Sequence, residues 1–341
     1  MDETRLRVIL DSFKDRKILV VGDFYLDAYW ILDKTLSTLS LETPWHTNPV
    51  VDQRYSPGAA GTVTNNLRAL EVGTVYTLSV IGQDGFGMTL LDKLKANGCR
   101  TDFMISSPAR VTPTYLKPMH RGYEGVEVEG PRFDIENHSP MNAELEEQVI
   151  HNLRECVPLV EGVIIGDQTP HDNLGVITDK VREEIIQLAE EYPTKIFCAD
   201  SRKRIGLYRN IIIKPNRFEA KRAVEPGWDG TEVTIKEAQR CGGELCKRTG
   251  KPVYVTVGRK GILVITEDGC QHVHGIKITG ELDPVGAGDS VSAGIVSTLS
   301  SAGSYHEAAE VGNLIASITV TKIGTTGTAS HDEIIKQLRT C

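Results

Sequence analysis

The chain has 341 residues, of which 25% are charged and 40% hydrophobic, as is typical of a globular protein with a large core. Its net charge of −8 argues against a nucleic-acid partner or an anionic membrane surface, because both bind basic faces. No apolar run approaches the ~18 residues of a membrane span, and the charged N-terminus lacks the apolar core of a signal peptide. The seven cysteines are scattered without metal-type pairs, which favours reduced thiols and a cytoplasmic location.

Apolar runs of the strand type alternate with helical segments along the chain. Strands are predicted at residues 18–22, 75–81, 162–166, 195–200, 211–214 and 253–257. Helices are predicted at residues 62–70, 87–97, 173–191, 235–247, 290–298 and 305–322. Continuous apolar strands separated by helices indicate an α/β fold with a mostly parallel sheet, covered on both faces, whose strand ends gather ligands. We expect a single domain over residues 1–341.

Two stretches, residues 44–56 and 111–136, break this alternation. Both contain Pro and Val, and in the second Val, Tyr and Lys alternate in part, as is typical of antiparallel strands. A small sheet of this kind is not stable alone, so it must cover the main domain or pair with another copy. We therefore predict a β lid over the active site that also joins two copies into a homodimer.

The run Asp-Pro-Val-Gly-Ala-Gly-Asp at residues 283–289 predicts the entrance to a helix. Gly286 and Gly288 let a ligand approach the main chain, and free amides at the positive end of a helix form an anion site. This field is expected to keep Asp289 ionised at neutral pH without a basic partner. A carboxylate beside a phosphate cradle can take a proton from an attacking hydroxyl, as in a phosphotransferase. A simple turn with an Asp cap is the alternative.

Several motifs, in order along nearly the whole chain, resemble those of the ribokinase-like, PfkB-type carbohydrate kinases. Among these kinases the chain is most similar to the kinase domain that acts on heptose 7-phosphate. The motifs are Gly-Asp-Phe-Tyr-Leu-Asp at 22–27, Pro-Gly-Ala-Ala-Gly-Thr at 57–62, Ile-Gly-Gln-Asp-Gly-Phe-Gly at 81–87, Asn-Arg-Phe-Glu at 216–219, Thr-Val-Gly-Arg-Lys-Gly at 256–261 and Gly-Ala-Gly-Asp at 286–289. The resemblance implies a three-layer sandwich with a mostly parallel central sheet and a small β-sheet lid.

The resemblance also implies ATP as the phosphoryl donor, Mg²⁺ as its metal, and a sugar or sugar phosphate as the acceptor. In such a kinase Asp289 is the general base, and the backbone of Gly286, Ala287 and Gly288 forms the anion hole. The acceptor is then expected to contact Asp27, Gly58, Ala59 and Thr62. The nucleotide side is expected to include Asn216, Glu219, Thr256, Gly258, Gly261 and Asn313.

The resemblance also implies residues that hold metal ions. In addition, the lid supplies two basic side chains on the acceptor side. Glu219 is expected to hold Mg²⁺ through water, because this ion keeps most of its hydration shell. Asp283 and nearby carbonyls are expected to hold a monovalent cation such as K⁺. Lys117 and Arg132 in the lid are candidates to engage a phosphate already present on the acceptor, for which the planar Arg fork is suited.

Several of these residues have simpler structural interpretations. Asp27 can be the N-cap of the segment that follows it, and Asn216 with Glu219 can be a capping pair. Asp84 is expected to cap the turn before residues 87–97 and to be structural. The basic cluster Arg202, Lys203, Arg204 and Arg209 is expected to be a solvated loop. Contact with a phosphate is the alternative that the resemblance implies, because relatives carry a basic residue close to Arg202. His272 and His274 are expected to be surface residues on one face of a strand.

The chain departs from the family pattern in ways that affect the substrate more than the reaction. Ala59 replaces the usual second glycine of the sugar loop, Thr62 replaces an Asn, and Pro284 replaces a hydroxyl residue. Thr offers one hydroxyl where Asn offers a donor and an acceptor. A fructose-phosphate, ribose or nucleoside kinase of the same fold is therefore an alternative. A non-catalytic sugar or nucleotide sensor is a second alternative, from a different functional class.

Overall fold

The computed structural model describes residues 1–122, 125–324 and 326–340. Its helices are α1 Glu3–Ser12, α2 Ala60–Ala69, α3 Gly85–Ala96, α4 Ala143–Cys156, α5 Asp179–Glu191, α6 Arg217–Val224, α7 Ile235–Thr249, α8 Ala287–Ser300, α9 Tyr305–Thr319 and α10 His331–Thr340. Its strands are β1 Lys17–Gly22, β2 Phe24–Asp33, β3 Val50–Ala59, β4 Thr74–Leu78, β5 Val80–Gly82, β6 Ile105–Ser107, β7 Thr114–Arg121, β8 Glu127–Glu129, β9 Phe133–Ile135, β10 Gly162–Asp167, β11 Ile196–Ser201, β12 Ile212–Ile213, β13 Val253–Thr256, β14 Gly261–Thr266 and β15 Gly269–His274.

The central sheet has the strand order β15-β14-β13-β12-β11-β10-β1-β4. The strands from β13 through β4 in this order pair in parallel, and β14 and β15 add an antiparallel edge. Alternation along β1 shows how both faces are covered, because successive side chains point to opposite sides. Ile18 and Val20 pack into the core with α2, α8 and α9, whereas Leu19 and Val21 pack into the core with α4, α5 and α7. The predicted mostly parallel sheet between helical layers is therefore confirmed.

A second sheet has the order β3-β2-β7-β8, with β9 also paired to β7. It contains parts of the two stretches predicted as antiparallel strands, but two details of that prediction were wrong. The central strand of the sheet is β2, which was not predicted, and β2 pairs with β7 in parallel. Within residues 44–49 the pairing is limited to an isolated bridge between Leu39 and His46.

The chain passes from the first sheet to the second at Gly22 and Asp23. Gly22 has φ +145, and a Cβ there would lie 2.1 Å from the carbonyl oxygen of Gly166, so a larger residue would clash. The buried Asp23 carboxylate accepts N–H bonds from Gln168, Thr169 and Val176. These bonds anchor the crossing point to the loop after β10.

For the six helices with predicted bounds, most boundaries lie within two residues of the prediction, whereas α1, α4 and α10 were not predicted. Asp84 caps α3 as expected, by accepting from the Gly87 amide. The largest difference is α5, which begins at Asp179 rather than at residue 173. Asn173 has φ +60, and Thr178 is the N-cap that accepts from the Val181 amide. Within the described ranges, none of the helices combines the length and apolar character that crossing a bilayer requires.

Candidate active site

The glycine run enters helix α8 as the sequence predicted. Gly286 is the N-cap with φ +78, and α8 begins at Ala287. A Cβ on Gly286 would lie 3.3 Å from the Thr62 methyl carbon, so glycine suits both the angle and the space. The Ala287 amide donates to the Pro284 carbonyl at 3.2 Å. The amides of Gly286 and Gly288 are available to an anion, because the first amides of a helix have no partner within it. Asp289 lies in the first turn of this helix.

The expectation that the helix terminus keeps Asp289 ionised at neutral pH was wrong. As a whole residue Asp289 is half-buried. Burial of its carboxyl raises the pKa of Asp289 to about 7, and the Asp200 carboxylate adds to the rise. Lys214 and Arg202 act in the opposite direction. A carboxyl with such a pKa is suited to accept and release a proton near neutral pH.

Two residues of this site, Asp200 and Lys214, were missed as site residues in the sequence analysis. Asp200 lies at the end of β11 and Lys214 directly after β12, and Lys214 Nζ is 2.8 Å from Asp200 Oδ2. A Cβ on Gly288 would lie 3.5 Å from Lys214 Nζ. Burial opposes the charge of Lys214, but nearby carboxylates, Asp200 above all, raise its pKa. A lysine at the end of an apolar strand was the available signal.

Asn216 and Glu219 form the capping pair that was the structural alternative. Asn216 Oδ1 accepts from the amides of Phe218 and Glu219, each at 2.9 Å, and Glu219 Oε2 accepts from the Asn216 amide at 2.7 Å. Burial and then Asp200 raise the pKa of Glu219 to about 7. Glu219 Oε1 has no hydrogen bond to the described protein, so capping leaves one oxygen for a metal-bound water.

Asp27 lies within β2 and not at the end of a strand, so the N-cap interpretation was wrong. Its buried carboxylate is 3.3 Å from Lys117 Nζ. A Cβ on Gly58 would lie 2.5 Å from Asp27 Oδ2, so a side chain at position 58 would displace this carboxylate. Burial raises the pKa of Asp27, although Lys117 opposes the rise. Asp27 in turn helps to raise the pKa of Asp289, so the two carboxylates lie within electrostatic reach.

The two lid cations already have protein partners. Lys117 Nζ also donates to the Tyr29 hydroxyl at 3.2 Å. The exposed Arg132 pairs through two hydrogen bonds with Asp134, and its guanidinium lies 4.2 Å from the centre of the Tyr115 ring. Tyr115 is the register partner of Asp27 across β2 and β7. Arg132 thus lies over the strand that neighbours Asp27.

Residues 59 and 62, which depart from the family pattern, lie between Asp27 with its neighbours and the turn that begins α8. Ala59 has φ 51 and ψ −118, a backbone conformation that normally requires glycine. Thr62 is buried, and its methyl group lies beside Gly286. The start of α2, directly after β3 and Gly58, therefore lies beside the turn that begins α8.

Replacement of Ala59 by Gly is expected to raise the free energy of unfolding by about 0.5–2 kcal/mol. It removes strain of about 1–3 kcal/mol, which the greater flexibility of glycine in the unfolded chain partly offsets. Urea unfolding of the two proteins measures this. Ala69→Gly, in α2, is the control and is expected to lose about 0.5–1 kcal/mol. A destabilised Ala59→Gly protein would contradict the strain.

The residues expected on the nucleotide side lie along β13, β14 and α9. Thr256 ends β13 and bridges to Asn216, and its amide donates to Pro215. Gly258 is exposed with φ +64, whereas a Cβ on Gly261 would strike the Val273 carbonyl at 2.1 Å. The side-chain amide of Asn313 donates to the backbone carbonyls of Val273 and His274, both at 3.2 Å.

Asn313 lines a cavity of about 280 Å³ with Met1, His272, Val273, His274, Ile276, His306, Glu310, Leu314 and Leu338. His272 and His274 share one face of β15, with ring centres 4.1 Å apart.

Asp283 lies just before the glycine turn, and its carboxylate accepts from the Val285 amide at 3.0 Å. Across the described parts of the chain, His, Cys, Asp and Glu side chains form no cluster of three arranged to hold a metal.

The basic cluster after Asp200 is not simply a solvated loop, as had been expected. Arg204 is buried and pairs with the buried Asp167 at 2.5 Å. The exposed Arg202 donates to Gln168 Oε1 at 2.9 Å, and its charge acts on Asp289. Arg202 thus lies within electrostatic reach of Asp289, whereas Arg204 has a structural partner.

Comparisons with known proteins agree with this fold. A family model described as pfkB family carbohydrate kinase matches residues 178–332. The bifunctional protein HldE of Helicobacter acinonychis (strain Sheeba) is 30% identical over 321 residues, which are 94% of this chain and 65% of that protein. The chain thus spans less than two thirds of that relative's length.

Two solved structures match nearly the whole chain. Arabidopsis thaliana ribokinase complexed with ribose and ATP has a TM-score of 0.69 at 17% identity, over 95% of this chain and 99% of that one. Phosphofructokinase-2 from Escherichia coli in complex with fructose-6-phosphate gives the same TM-score, identity and coverage. The predicted ribokinase-like fold is therefore confirmed.

Proposed function

The chain carries a domain of the pfkB family of carbohydrate kinases, and we propose that it transfers a phosphoryl group from ATP to a hydroxyl of a sugar or sugar phosphate. The observation that carries this proposal is the position of Asp289. Its carboxylate follows the glycine amides in the first turn of α8, has a pKa of about 7, and is within electrostatic reach of Asp27. A base, an anion site and a polyol-binding carboxylate are the three parts that such a reaction requires.

In the proposed mechanism Asp27 and the Gly58 loop orient the acceptor, and Asp289 takes the proton from its hydroxyl. The amides of Gly286 and Gly288 stabilise the charge that spreads over the transferred phosphoryl. The Ala287 amide joins them only if it gives up its 3.2 Å bond to the Pro284 carbonyl. Glu219, whose Oε1 has no hydrogen bond to the described protein, would hold Mg²⁺ through water, and the bound ion would neutralise charge on the ATP phosphates. Asp283 remains the candidate for a K⁺ site.

For the acceptor we propose a heptose 7-phosphate, on the basis of the resemblance in the motifs around residues 22–30 and 132–134. Lys117 and Arg132 supply positive charge on the side of Asp27 where a sugar phosphate would bind. We further propose that β2, β3, β7, β8 and β9 act as the lid of this site within a single domain. Because the reaction consumes ATP, we place it in the cytoplasm.

The test is a coupled assay of ADP release with purified protein, ATP, Mg²⁺ and a panel of acceptors. The panel contains heptose 7-phosphate, fructose 6-phosphate, ribose and a nucleoside. The highest kcat/KM is expected for heptose 7-phosphate. A preference for another acceptor would contradict the proposed substrate but support the kinase activity. Sugar binding without any ADP release would favour a sensor.

The pH dependence of the reaction is expected to report Asp289. With both substrates far below saturation, kcat/KM should fall about tenfold per pH unit below pH 7, because protonated Asp289 cannot accept a proton. The measurement is kcat/KM between pH 5 and 9. Since Glu219 has a similar pKa, the Glu219→Gln variant is the control, and it should keep the acid limb. An acid limb centred near pH 4 would contradict this role for Asp289.

We also propose that the lid joins two copies of the chain. Among the exposed large apolar side chains, Leu39, Leu41 and Trp45 lie on the segment between β2 and β3, and Val128 and Phe133 on β8 and β9. Trp45→Ser is expected to weaken the dimer at least tenfold, because buried aromatic side chains dominate such interfaces. Sedimentation velocity measures this, with Val8→Ser on α1 as the exposed control. A monomeric wild-type protein would refute the dimer.

A further inference from the structure

A lysine ammonium lies against the glycine turn that begins α8. Lys214 follows β12, is buried, and places Nζ 2.8 Å from Asp200 Oδ2. A Cβ built on Gly288 would lie 3.5 Å from this Nζ and 4.0 Å from Asp200 Oδ2. Gly288 itself is exposed, so a ligand can reach this turn.

The ammonium is only partly used by the protein. An ammonium has three donors, and within the described ranges the acceptor found for Lys214 Nζ is Asp200. Burial of a charge that is not fully hydrogen-bonded is costly. Such an arrangement is typical of a group whose remaining donors serve a ligand.

The charges around Lys214 also favour a cation at this position. The carboxylates of Asp200, Glu219 and Asp289 all act on its charge. A phosphoryl group brought to this turn would meet three carboxylates, and the helix amides supply only partial positive charge. Lys214 is the buried full positive charge among these groups.

We propose that Lys214 is a catalytic residue whose ammonium contacts the phosphoryl group in transit, with Asp200 as the positioning residue that holds the ammonium at Gly288. This inference rests on the proposed kinase reaction. In that reaction the acceptor oxygen bonds to the γ-phosphorus, the bond from that phosphorus to the bridging oxygen of ADP breaks, and the acceptor proton goes to Asp289. Lys214 forms no covalent bond and remains protonated.

The experiment compares wild type with Lys214→Met, which keeps an unbranched side chain only one atom shorter and removes its charge. The turnover is expected to fall about 10²–10³-fold, as for the loss of one fixed donor to a developing charge, with a smaller change in the KM of the acceptor. By calorimetry with Mg²⁺, the affinity for a non-hydrolysable ATP analogue should fall at least tenfold, and that for ADP less than threefold. ADP lacks the phosphate that Lys214 would contact.

Lys221→Met is the matched control. Lys221, on α6, is also buried and paired, but its partners are Glu225 directly after α6 and Glu237 on α7. This variant should keep turnover and both nucleotide affinities. Lys214→Met leaves the Asp200 carboxylate without its partner and could therefore fail to fold. In that case the Asp200→Asn variant is compared with the double variant Asp200→Asn, Lys214→Met, which has no unpaired carboxylate at this position.

The outcomes separate this inference from the proposed function. Loss of affinity for the ATP analogue but not for ADP supports the role of Lys214. Unchanged turnover, or equal losses for both nucleotides together with a lower melting temperature, would overturn it in favour of a purely structural ion pair. If the wild type releases no ADP with any acceptor, the proposed function fails, and the two nucleotide affinities alone decide the role of Lys214.

Discussion

Replacement of Asp289 by Asn is expected to lower turnover about 10²–10⁴-fold, the scale of general-base catalysis. The amide keeps the shape of the carboxyl but cannot accept the proton of the acceptor hydroxyl. The affinity for ATP should change little, because the α8 amides and the Gly258 turn are unaltered. Steady-state kinetics at pH 8 measure the turnover, and calorimetry measures ATP binding. Turnover near that of the wild type would reject Asp289 as the base.

The same variant is expected to be more stable than the wild type at pH 8. The folded pKa of Asp289, about 7, exceeds its ordinary value of 3.8, so the folded state loses stability as the pH rises between these two values. About three pKa units correspond to about 4 kcal/mol, and partial solvent exposure reduces the expected gain to about 1–3 kcal/mol. Urea unfolding should show a gain that shrinks towards pH 4. Asp268→Asn, on an exposed turn, is the control.

Local signals were sufficient to predict part of this site. The entrance to α8, the Asp84 cap and the Asn216–Glu219 capping pair were all predicted correctly, because each depends on residues within four positions of one another. Glycine and capping residues act on the backbone nearby, so their sequence pattern suffices.

The remainder depends on contacts between distant parts of the chain. The ion pair of Lys214 with Asp200 arises because β11 and β12 are neighbours in the sheet. The pKa of Asp289 depends on burial and on Asp200, 89 positions earlier in the chain. Strand β2 was missed because its pairing with β3 and β7 joins separate regions of the sequence. A local sequence pattern does not reveal such contacts, because the residues that make them lie far apart in the chain.

Replacement of Asp27 by Ala is the second change with a large expected effect, on the acceptor rather than on the nucleotide. A carboxylate that accepts two hydroxyl hydrogen bonds contributes about 1.5–3 kcal/mol for each. Losing both bonds should lower kcat/KM for the acceptor about 10²–10⁴-fold. The affinity for ATP is expected to remain within threefold of the wild type. Acceptor-dependent ADP release and calorimetry with ATP measure the two quantities.

Two further variants separate recognition of the acceptor from damage to the lid. Asp27→Ala leaves the ammonium of Lys117 without its carboxylate, and an unpaired, half-buried charge can disturb the sheet. Asp27→Ala combined with Lys117→Met removes both charges, so it should regain stability while kcat/KM stays low. Asp52→Asn removes an exposed carboxylate from the neighbouring β3 and should leave kcat/KM unchanged. If the double variant recovered the kcat/KM of the wild type, Asp27 would serve only to neutralise Lys117, and the acceptor would bind elsewhere.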